Sequence, residues 1–310
     1  MKVLVTGGAG FIGSHLADRL MAQRIETVLV DNLSGAAGDR YAHPSAVLYA
    51  ADVRDEVMDG VFARERPDAV VHLAAQIDVS ASQRDPLFDA DVNIMGTLNV
   101  LRLCASFGVR RFVYASSAAV YGAPQYLSID EQHPLEPQSC YGVSKGVPEM
   151  YIRLFAERHG FAYTIFRFAN VYGPRQCSHG EAGVVSIFLD RMLQGESPLI
   201  NGDGLQTRDF VYVGDVADAV AAAVLRDRKE ERETFNIGCG VPTAVLELVQ
   251  LIGELTGSSA PPLFGPGRPG DIRHSYLNNG KARDYLQWMP THDLRRGLAK
   301  TIEFRSREGR

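Results

Sequence analysis

The chain has 310 residues, of which 45% are hydrophobic and 22% are charged, as in an ordinary soluble globular protein with a sizeable core. The net charge of −5 argues against a surface that binds nucleic acid. No run of 18 apolar residues occurs, so the sequence predicts no membrane-spanning helix.

The four cysteines lie far apart in the sequence and form no CxxC pair and no metal-ligand spacing. We expect them to be free thiols in a reducing compartment. The apolar stretch at the N-terminus is too short for the core of a signal peptide. A cytoplasmic protein without a metal site, a nucleic-acid partner or a membrane partner is therefore expected.

Strand-like and helix-like patterns alternate over the first half of the chain. Short apolar runs predict strands at 2–6, 26–30, 46–50, 69–73, 111–116 and 163–168. Apolar residues at helical spacing predict helices near 12–23, 55–65, 90–107 and 144–159. Such alternation is typical of βαβ units, so the predicted fold class is α/β, a Rossmann-type doubly wound parallel sheet.

The rhythm changes after residue 168, where loops lengthen and Gly/Pro clusters appear. Short strands are predicted at 210–213 and 234–237, and helices at 216–225 and 244–255. We interpret this part as a smaller mixed α/β substrate-binding domain made of residues 169–209 and 239–310. The Rossmann-type domain would comprise residues 1–168, with 210–238 returning to it.

A glycine-rich turn follows the first predicted strand and opens the first predicted helix. Gly8, Gly10 and Gly13 match the GxGxxG fingerprint of dinucleotide-binding turns, and Gly7, Gly10 and Gly13 also fit with a GxxGxxG spacing. Glycines permit the tight turn, the approach of a pyrophosphate and close packing of helix on strand. The helix N-terminus would offer N–H groups to the phosphates. The sequence therefore predicts a dinucleotide site.

An acidic residue stands 18 positions beyond Gly13, at the end of the second predicted strand. A carboxylate there accepts hydrogen bonds from ribose hydroxyls and repels a 2′-phosphate, so Asp31 favours NAD over NADP. Asn32 follows it. After the third predicted strand, Asp52 and Val53 could contact adenine, and Asp52 could equally be a helix N-cap.

A tyrosine and a lysine lie four residues apart after a proline-rich loop. On a helix, Tyr141 and Lys145 would share one face. A neighbouring ammonium favours the phenolate and lowers the pKa of the tyrosine, which would make Tyr141 an acid/base candidate. The alternative is an ordinary surface pair. Pro148 lies just beyond, so we expect the helix to start near Ser144 or to kink.

Several motifs together resemble the extended short-chain dehydrogenase/reductase family, and within it the nucleotide-sugar epimerases that act at C4. They are TGGAGFIGSHL at 6–16, SSAAVYG at 116–122, YGVSK at 141–145, RFANVYGPRQ at 167–176, GDGLQTRDFVYVGDVA at 202–217, FNIGCG at 235–240 and RPGDIRHS at 268–275. The resemblance implies NAD as cofactor, bound by Gly7, Gly10, Phe11, Ile12, Gly13, Asp31, Asn32, Asp52, Val53, Leu73, Ala74, Ala75, Gln76, Asn93, Ser116, Tyr141 and Lys145.

The resemblance also implies a catalytic set. Ser117 would hold the substrate's 4-hydroxyl, Tyr141 would remove its proton, and Lys145 would bind the nicotinamide ribose and tune Tyr141. Hydride would pass from C4 to NAD, the 4-keto sugar would turn over, and hydride would return to the other face. Ala118 and Ala119 stand where sugar 4,6-dehydratases of the family carry an Asp-Glu pair. We therefore expect the chemistry to stop at oxidation and re-reduction of one carbon.

A second set of residues would bind the UDP-sugar, again by resemblance. Asn170 would hold the diphosphate, arginines would grip phosphate unless they form solvated salt bridges, and an aspartate would meet a ribose hydroxyl. The full set is Ser117, Tyr141, Asn170, Val184, Val185, Asn201, Arg208, Arg268 and Asp271. Asn201 replaces the aromatic that relatives stack on uracil, and the small Ser275 could admit an N-acetyl group.

The expected activity is NAD-dependent 4-epimerisation of a UDP-hexose, with UDP-glucose and UDP-galactose first. Alternatives are UDP-N-acetylhexosamine or UDP-glucuronate epimerisation, a nucleotide-sugar oxidoreductase, or a non-catalytic NAD-binding module. A homodimer through the helices near 90–107 and 144–159 is implied by the resemblance. His72 and Trp288 are interpreted as core residues, whereas Asp78, Ser80 and Ser82 could line the sugar site.

Overall fold

The computed structural model describes residues 1–35, 37–177, 183–226, 231–267 and 272–308. Seven strands form one sheet: β1 (Lys2–Thr6), β2 (Glu26–Asp31), β3 (Val47–Ala50), β4 (Ala69–His72), β5 (Arg111–Ser117), β6 (Ala162–Phe168) and β11 (Arg232–Ile237). Their order is β11-β6-β5-β4-β1-β2-β3, and β1 runs parallel to both β2 and β4. This confirms the predicted doubly wound Rossmann-type sheet.

The chain order of the strands reverses between β1 and β4. In open α/β sheets, ligands bind at the carboxyl ends of the strands beside such a reversal. The glycine-rich turn follows β1, residues 73–76 follow β4, and Ser117 ends β5. The topology thus gathers three of the predicted site segments at one edge of the sheet.

Six helices accompany the first six strands: α1 (Phe11–Ala22), α2 (Val57–Glu65), α3 (Val79–Arg84), α4 (Pro86–Ala90), α5 (Gly96–Phe107) and α6 (Cys140–His159). The prediction of one helix near 90–107 is wrong in detail, because a π-helical turn at Asp91–Met95 separates α4 from α5. A 3₁₀ turn, Ala118–Tyr121, follows β5.

Both faces of the sheet are buried. Leu4, Val70 and Phe112 pack with the apolar faces of α2, α5 and α6, whereas the intervening Val5 and Val71 are equally inaccessible. Strands buried on both sides are expected to be nearly continuous apolar runs, as they are here. The sheet therefore forms a rigid base for the loops at its carboxyl edge.

The helix that carries Tyr141 begins earlier than the sequence predicted. It starts at Cys140, where the Oγ of the N-cap Ser139 accepts a hydrogen bond from the N–H of Gly142 at 3.0 Å. Pro148 lies inside the helix, where it cannot donate the hydrogen bond that the Ser144 carbonyl would otherwise accept. The expected start near Ser144 is wrong because the serine cap stabilises the first turn.

Contacts divide the chain into two units. The first comprises Met1–Gly122, Leu135–Arg167 and Ala217–Phe235, and the second comprises Ala123–Pro134, Phe168–Val216 and Asn236–Arg310. The remaining elements are β7 (Asn170–Tyr172), β8 (Leu199–Asn201), β9 (Thr207–Arg208), β10 (Phe210–Tyr212), β12 (Thr243–Ala244), β13 (Leu263–Gly265), α7 (Val184–Leu193), α8 (Val213–Leu225), α9 (Val245–Thr256) and α10 (Leu294–Glu308). The two-stranded sheets are β7–β10, β9–β12 and β8–β13.

Two residues assigned to the core from sequence are confirmed. His72 is buried in β4, and its ring contacts the hydroxyls of Thr6 at 2.7 Å and Thr97 at 3.0 Å. Burial, aided by the charge of Lys145, lowers the pKa of His72 to about 3, so it is neutral at physiological pH. In the second unit, Trp288 is buried, and its indole N–H donates to a backbone carbonyl.

Candidate active site

The glycine-rich turn leaves no room for side chains at two of its positions. Gly7 has a φ of +66°, and a Cβ there would lie 2.8 Å from the backbone nitrogen of Ala74. A Cβ on Gly13 would lie only 2.0 Å from the carbonyl oxygen of Gly7. The turn can therefore pack against both the start of α1 and the end of β4 only if these residues are glycine.

The start of α1 is suited to bind an anion. Gly10 is the N-cap and has no side chain to cap the helix, so it leaves N–H groups of the first turn available. Phe11, Ile12 and Gly13 form that turn. Free N–H groups and the positive end of the helix dipole together fit a pyrophosphate.

Asp31 connects the end of β2 with the glycine-rich turn. Its carboxylate accepts hydrogen bonds from the backbone N–H groups of Ala9 at 3.0 Å and Leu33 at 2.9 Å. Burial raises the pKa of Asp31, and these hydrogen bonds oppose that rise. The carboxylate thus lies beside the pyrophosphate cradle, where the predicted contact to an adenosine ribose requires it.

Asp52 takes part in a polar cluster after β3. It accepts from the side chain of Asn32 at 2.8 Å and from two guanidinium nitrogens of Arg54, each at 2.8 Å. Its pKa is lowered to about 2, chiefly by the hydrogen bond from Arg54. Because α2 begins at Val57, after the N-cap Glu56, the alternative interpretation of Asp52 as a helix cap is wrong. Val53 is buried beside it.

The segment after β4, which comprises Leu73, Ala74, Ala75 and Gln76, is held by Asn93. The Asn93 Oδ1 accepts from the backbone N–H of Gln76 at 2.8 Å, and its Nδ2 donates to the Gln76 carbonyl at 2.9 Å. The same Nδ2 donates to the Ser144 hydroxyl on α6. Asn93 lies in the π-helical turn, a feature that often marks functional sites.

The two serines at the end of β5 have different surroundings. Ser117 is the last residue of the strand, and its Oγ accepts a hydrogen bond from the N–H of Ala119 at 3.2 Å. This satisfies the backbone and leaves the O–H of Ser117 as a donor at the edge of the sheet. Ser116 is buried, and its hydroxyl donates to the carboxylate of Glu149 at 2.7 Å.

The first turn of α6 is fixed in two ways. The N–H of Tyr141 donates to the Oγ of Ser82 at 3.1 Å. A Cβ on Gly142 would lie 2.6 Å from the carbonyl oxygen of Ala119, so glycine allows α6 to approach the 3₁₀ turn after Ser117. Tyr141 and Ser117 are thereby carried by segments in direct backbone contact.

Residues that could line the sugar site also have capping and positioning contacts. Asp78 is the N-cap of α3, and its carboxylate accepts from the N–H groups of Ser80 and Ala81. Ser82 is fully buried and holds the backbone of Tyr141. The structure therefore gives Asp78 and Ser82 a role in shaping the site.

Lys145 lies one turn after Tyr141, on the same face of α6. It is only 4% exposed, and its Nζ lies 4.8 Å from the centroid of the Tyr114 ring. Burial lowers the pKa of Lys145 to about 8, against the opposing effect of the negative charges of Asp89 and Glu149. A lysine so placed carries a proton near neutral pH and can also release it.

Sequence reasoning missed the buried residues that surround the reactive groups. Glu149 is fully buried and forms hydrogen bonds with Arg167, which is itself only 3% exposed. Tyr114 lies beneath the Lys145 ammonium. The position of Glu149, four residues after Lys145 on the same helical face, was a signal that could have found it.

The second unit holds predicted substrate residues near one another. Asn170 begins β7 and pairs with Phe210 on β10, so it adjoins the Arg208-Asp209 segment. Ser275 donates its N–H to the carbonyl of Thr207, beside Arg208. Thus Asn170, Arg208 and Ser275 lie on adjacent segments.

The other predicted substrate residues lie on different elements of the second unit or outside the described residues. The carbonyl of Asn201, at the end of β8, accepts from Gln206. Val184 and Val185 form the first turn of α7, and Val185 is buried. Arg268 and Asp271 lie outside the described residues.

Comparisons with known proteins show which family the chain resembles in sequence and structure. The sequence profile of the NAD dependent epimerase/dehydratase family matches residues 3–238. The chain is 42% identical to a UDP-glucose 4-epimerase of Mycolicibacterium smegmatis over 98% of both chains. The structure is similar to UDP-glucose 4-epimerase of Thermotoga maritima with UDP-glucose, with a TM-score of 0.96, 42% identity and 100% coverage of both chains. It is also similar to a UDP-N-acetylglucosamine 4-epimerase of Methanobrevibacter ruminantium, with a TM-score of 0.92, 31% identity and coverage of 99% of this chain and 98% of that one.

Proposed function

The chain belongs to the NAD-dependent epimerase/dehydratase family, and from that premise we propose that it is an isomerase that interconverts UDP-glucose and UDP-galactose. The observation that carries the proposal is the placement of Tyr141 and Lys145 at the start of α6, which contacts the turn after Ser117.

The dinucleotide site has the residues that NAD requires. The cradle formed by Gly7, Gly10 and Gly13 would hold the pyrophosphate, and Asp31 would accept the ribose hydroxyls. Asp52 and Val53 would lie at the adenine, with Asn32 nearby. When bound, NAD supplies a hydride acceptor and donor for C4 of the sugar.

Three side chains of this protein would handle the proton and the hydroxyl. Tyr141 would take the proton from the substrate's O4 and later return it. Lys145, in its charged form, would favour the phenolate of Tyr141. Ser117 would orient the hydroxyl through a hydrogen bond.

The residues after Ser117 limit what the site can do. Ala118 and Ala119 form the 3₁₀ turn beside α6, and neither carries an acid or a base. Elimination of a C6 hydroxyl requires groups that protonate it and remove the C5 proton. Alanines cannot supply either, which supports a reaction confined to C4.

Residues of the second unit are proposed to bind the nucleotide sugar. Arg208 would grip a phosphate and Asn170 would hold the diphosphate. Ser275 is small and would leave room for the N-acetyl group of an N-acetylated sugar. The similarity to a UDP-N-acetylglucosamine 4-epimerase favours UDP-N-acetylhexosamine as the second candidate substrate. UDP-glucuronate and a nucleotide-sugar oxidoreductase activity remain as lesser alternatives.

A panel of substrates tests this function. We expect purified protein without added cofactor to convert UDP-galactose to UDP-glucose. The conversion is monitored by proton NMR of the anomeric signals. UDP-N-acetylgalactosamine and UDP-glucuronate provide the comparison. Stoichiometric consumption of added NADH, with a reduced or oxidised product released, would instead identify an oxidoreductase.

We propose a homodimer through α6 and the segment 90–107, which comprises the π-helical turn and α5. Large apolar side chains are exposed on α6 and on the π-helical turn that precedes α5: Val143, Met150 and Leu154 on α6, and Met95 on the turn, at 43–63% exposure. Leu87 and Phe88 on α4 are exposed as well. Apolar groups of this size on neighbouring elements favour burial against a second copy.

The substitution Leu154→Glu is therefore expected to convert the dimer to a monomer. It places a charge among apolar side chains that would be desolvated in the interface. Light scattering after size-exclusion chromatography measures the mass. Met289→Glu, a change at an equally exposed apolar residue of the second unit, serves as the control and should leave the mass unchanged. An unchanged mass for Leu154→Glu would contradict this interface.

We propose a cytoplasmic location. All four cysteines are free thiols, as expected in a reducing compartment. Among the described residues, no helix has both the length and the apolar character needed to cross a bilayer.

A further inference from the structure

Glu149 is a charged residue in a place where charge is costly. Its side chain is fully buried on α6, one helical turn after Lys145 and two after Tyr141. A buried carboxylate persists only when it is paired and hydrogen-bonded. Its partners therefore indicate what it is retained for.

Two of those partners, Ser116 and Arg167, lie on strands of the sheet, and a third, Arg153 on α6, donates its Nη2 to Oε2 at 3.3 Å. The hydroxyl of Ser116 donates to Oε1 at 2.7 Å. Arg167 donates its Nε to Oε1 at 3.0 Å and its Nη2 to Oε2 at 2.6 Å, a bidentate pair. The remaining Nη1 of Arg167 donates to the phenol of Tyr121 at 3.0 Å.

Two of these contacts, those of Ser116 and Tyr121, adjoin Ser117. Ser116 precedes Ser117 at the end of β5, and Tyr121 ends the 3₁₀ turn that follows Ser117. The same turn touches α6 at Gly142, next to Tyr141. The hydrogen bonds of Glu149 thus connect β5, the strand that carries Ser117, with α6, the helix that carries Tyr141.

We propose that Glu149 is a positioning residue for the epimerase reaction: through Ser116 and Arg167 it holds Ser117 in register with Tyr141. Glu149 also lies one turn after Lys145 on the same face of α6, so its negative charge acts on the Lys145 ammonium. This inference depends on the proposed function, because it concerns the same catalytic groups. We assign Glu149 itself no contact with the substrate.

The charged and titratable groups that face Lys145 determine how its protonation depends on pH. They come from four elements: Asp89 on α4, His72 on β4, Tyr114 on β5, and Tyr141 and Glu149 on α6. His72 stays neutral above about pH 3 and burial raises the pKa of Tyr114, so neither changes charge between pH 6 and 9. Removing the negative charge of Glu149 lowers the pKa of Lys145 further below its present value of about 8.

Two substitutions separate the positioning role of Glu149 from the effect of its charge on Lys145. Ser116→Ala removes the hydrogen bond between Ser116 on β5 and Glu149 on α6 but keeps the charge, so we expect kcat to fall about tenfold with little change in KM and no change in the pH profile. Glu149→Gln removes the charge, so the alkaline limb of kcat, which we assign to loss of the proton from Lys145, should move to lower pH by about one unit. Both are measured on the purified enzyme with its NAD.

The matched control is Glu157→Gln, the same change at an exposed position on α6, which should leave the limb in place. A uniform loss of activity at all pH values in Glu149→Gln, or an unchanged kcat in Ser116→Ala, would overturn the proposal. If Glu149→Gln does not fold, the kcat and KM of Ser116→Ala decide. An inactive unmodified enzyme would instead refute the proposed function, so the two failures are distinguishable.

Discussion

Replacement of Tyr141 by phenylalanine is expected to abolish turnover while NAD remains bound. The phenol is the group assigned to take the O4 proton, and loss of a general base lowers kcat by about 10²–10⁴-fold. The backbone of Tyr141 would still donate to Ser82, so the helix start should be unchanged. Conversion of UDP-galactose measures activity, and release of NAD on denaturation measures cofactor content.

Tyr151→Phe provides the matched control, since Tyr151 lies on the same helix and is 37% exposed. It should retain full activity. Turnover by Tyr141→Phe within tenfold of the unmodified enzyme would mean that another group takes the proton.

Replacement of Gly13 by alanine is expected to remove NAD binding. The new methyl group would lie 2.0 Å from the carbonyl oxygen of Gly7, far inside van der Waals contact. Since the neighbour is backbone, the turn and the start of α1 must separate, which destroys the pyrophosphate cradle. We expect purified protein without bound NAD, no activity, and a lower melting temperature.

The same substitution at Gly60 should have the opposite effect on stability. Gly60 lies in α2, and a Cβ there would meet no atom within 4 Å. Alanine in a helix is favoured over glycine by about 0.5–1 kcal/mol, so Gly60→Ala should raise the melting temperature and retain NAD. Retention of NAD by Gly13→Ala would contradict the assigned cradle.

The elements of the sheet were predictable because they depend on local pattern. Apolar runs such as Val3–Val5 and Val70–Val71 are buried on both faces, and a parallel sheet demands this of its strands. The glycine-rich turn was predictable for a related reason: its residues are selected by backbone geometry, which leaves a spacing in the sequence.

Features that depend on tertiary contacts were not predictable. The early start of α6 depends on the Ser139 cap and on close packing at Gly142, which outweigh the signal of Pro148. The π-helical turn at Asp91–Met95 has no periodic signature, yet it places Asn93 against the segment after β4.

The hydrogen-bond network of Glu149 shows the same limit. Its partners Ser116 and Arg167 lie 33 and 18 residues away along the chain. A charged residue on a helix is usually exposed, so the sequence alone does not distinguish a buried carboxylate from a surface one. Only the fold brings β5, β6 and α6 together around it.

Isotope transfer tests the central claim most directly, namely that the reaction is confined to hydride transfer from and back to C4. UDP-galactose carrying deuterium at C4 is incubated with the enzyme in ordinary water, and the unlabelled sugar is incubated in heavy water. We predict that the UDP-glucose formed keeps its C4 deuterium in the first case and gains none at carbon in the second. Loss of the C4 label to water, or deuterium from solvent at C5, would contradict the account.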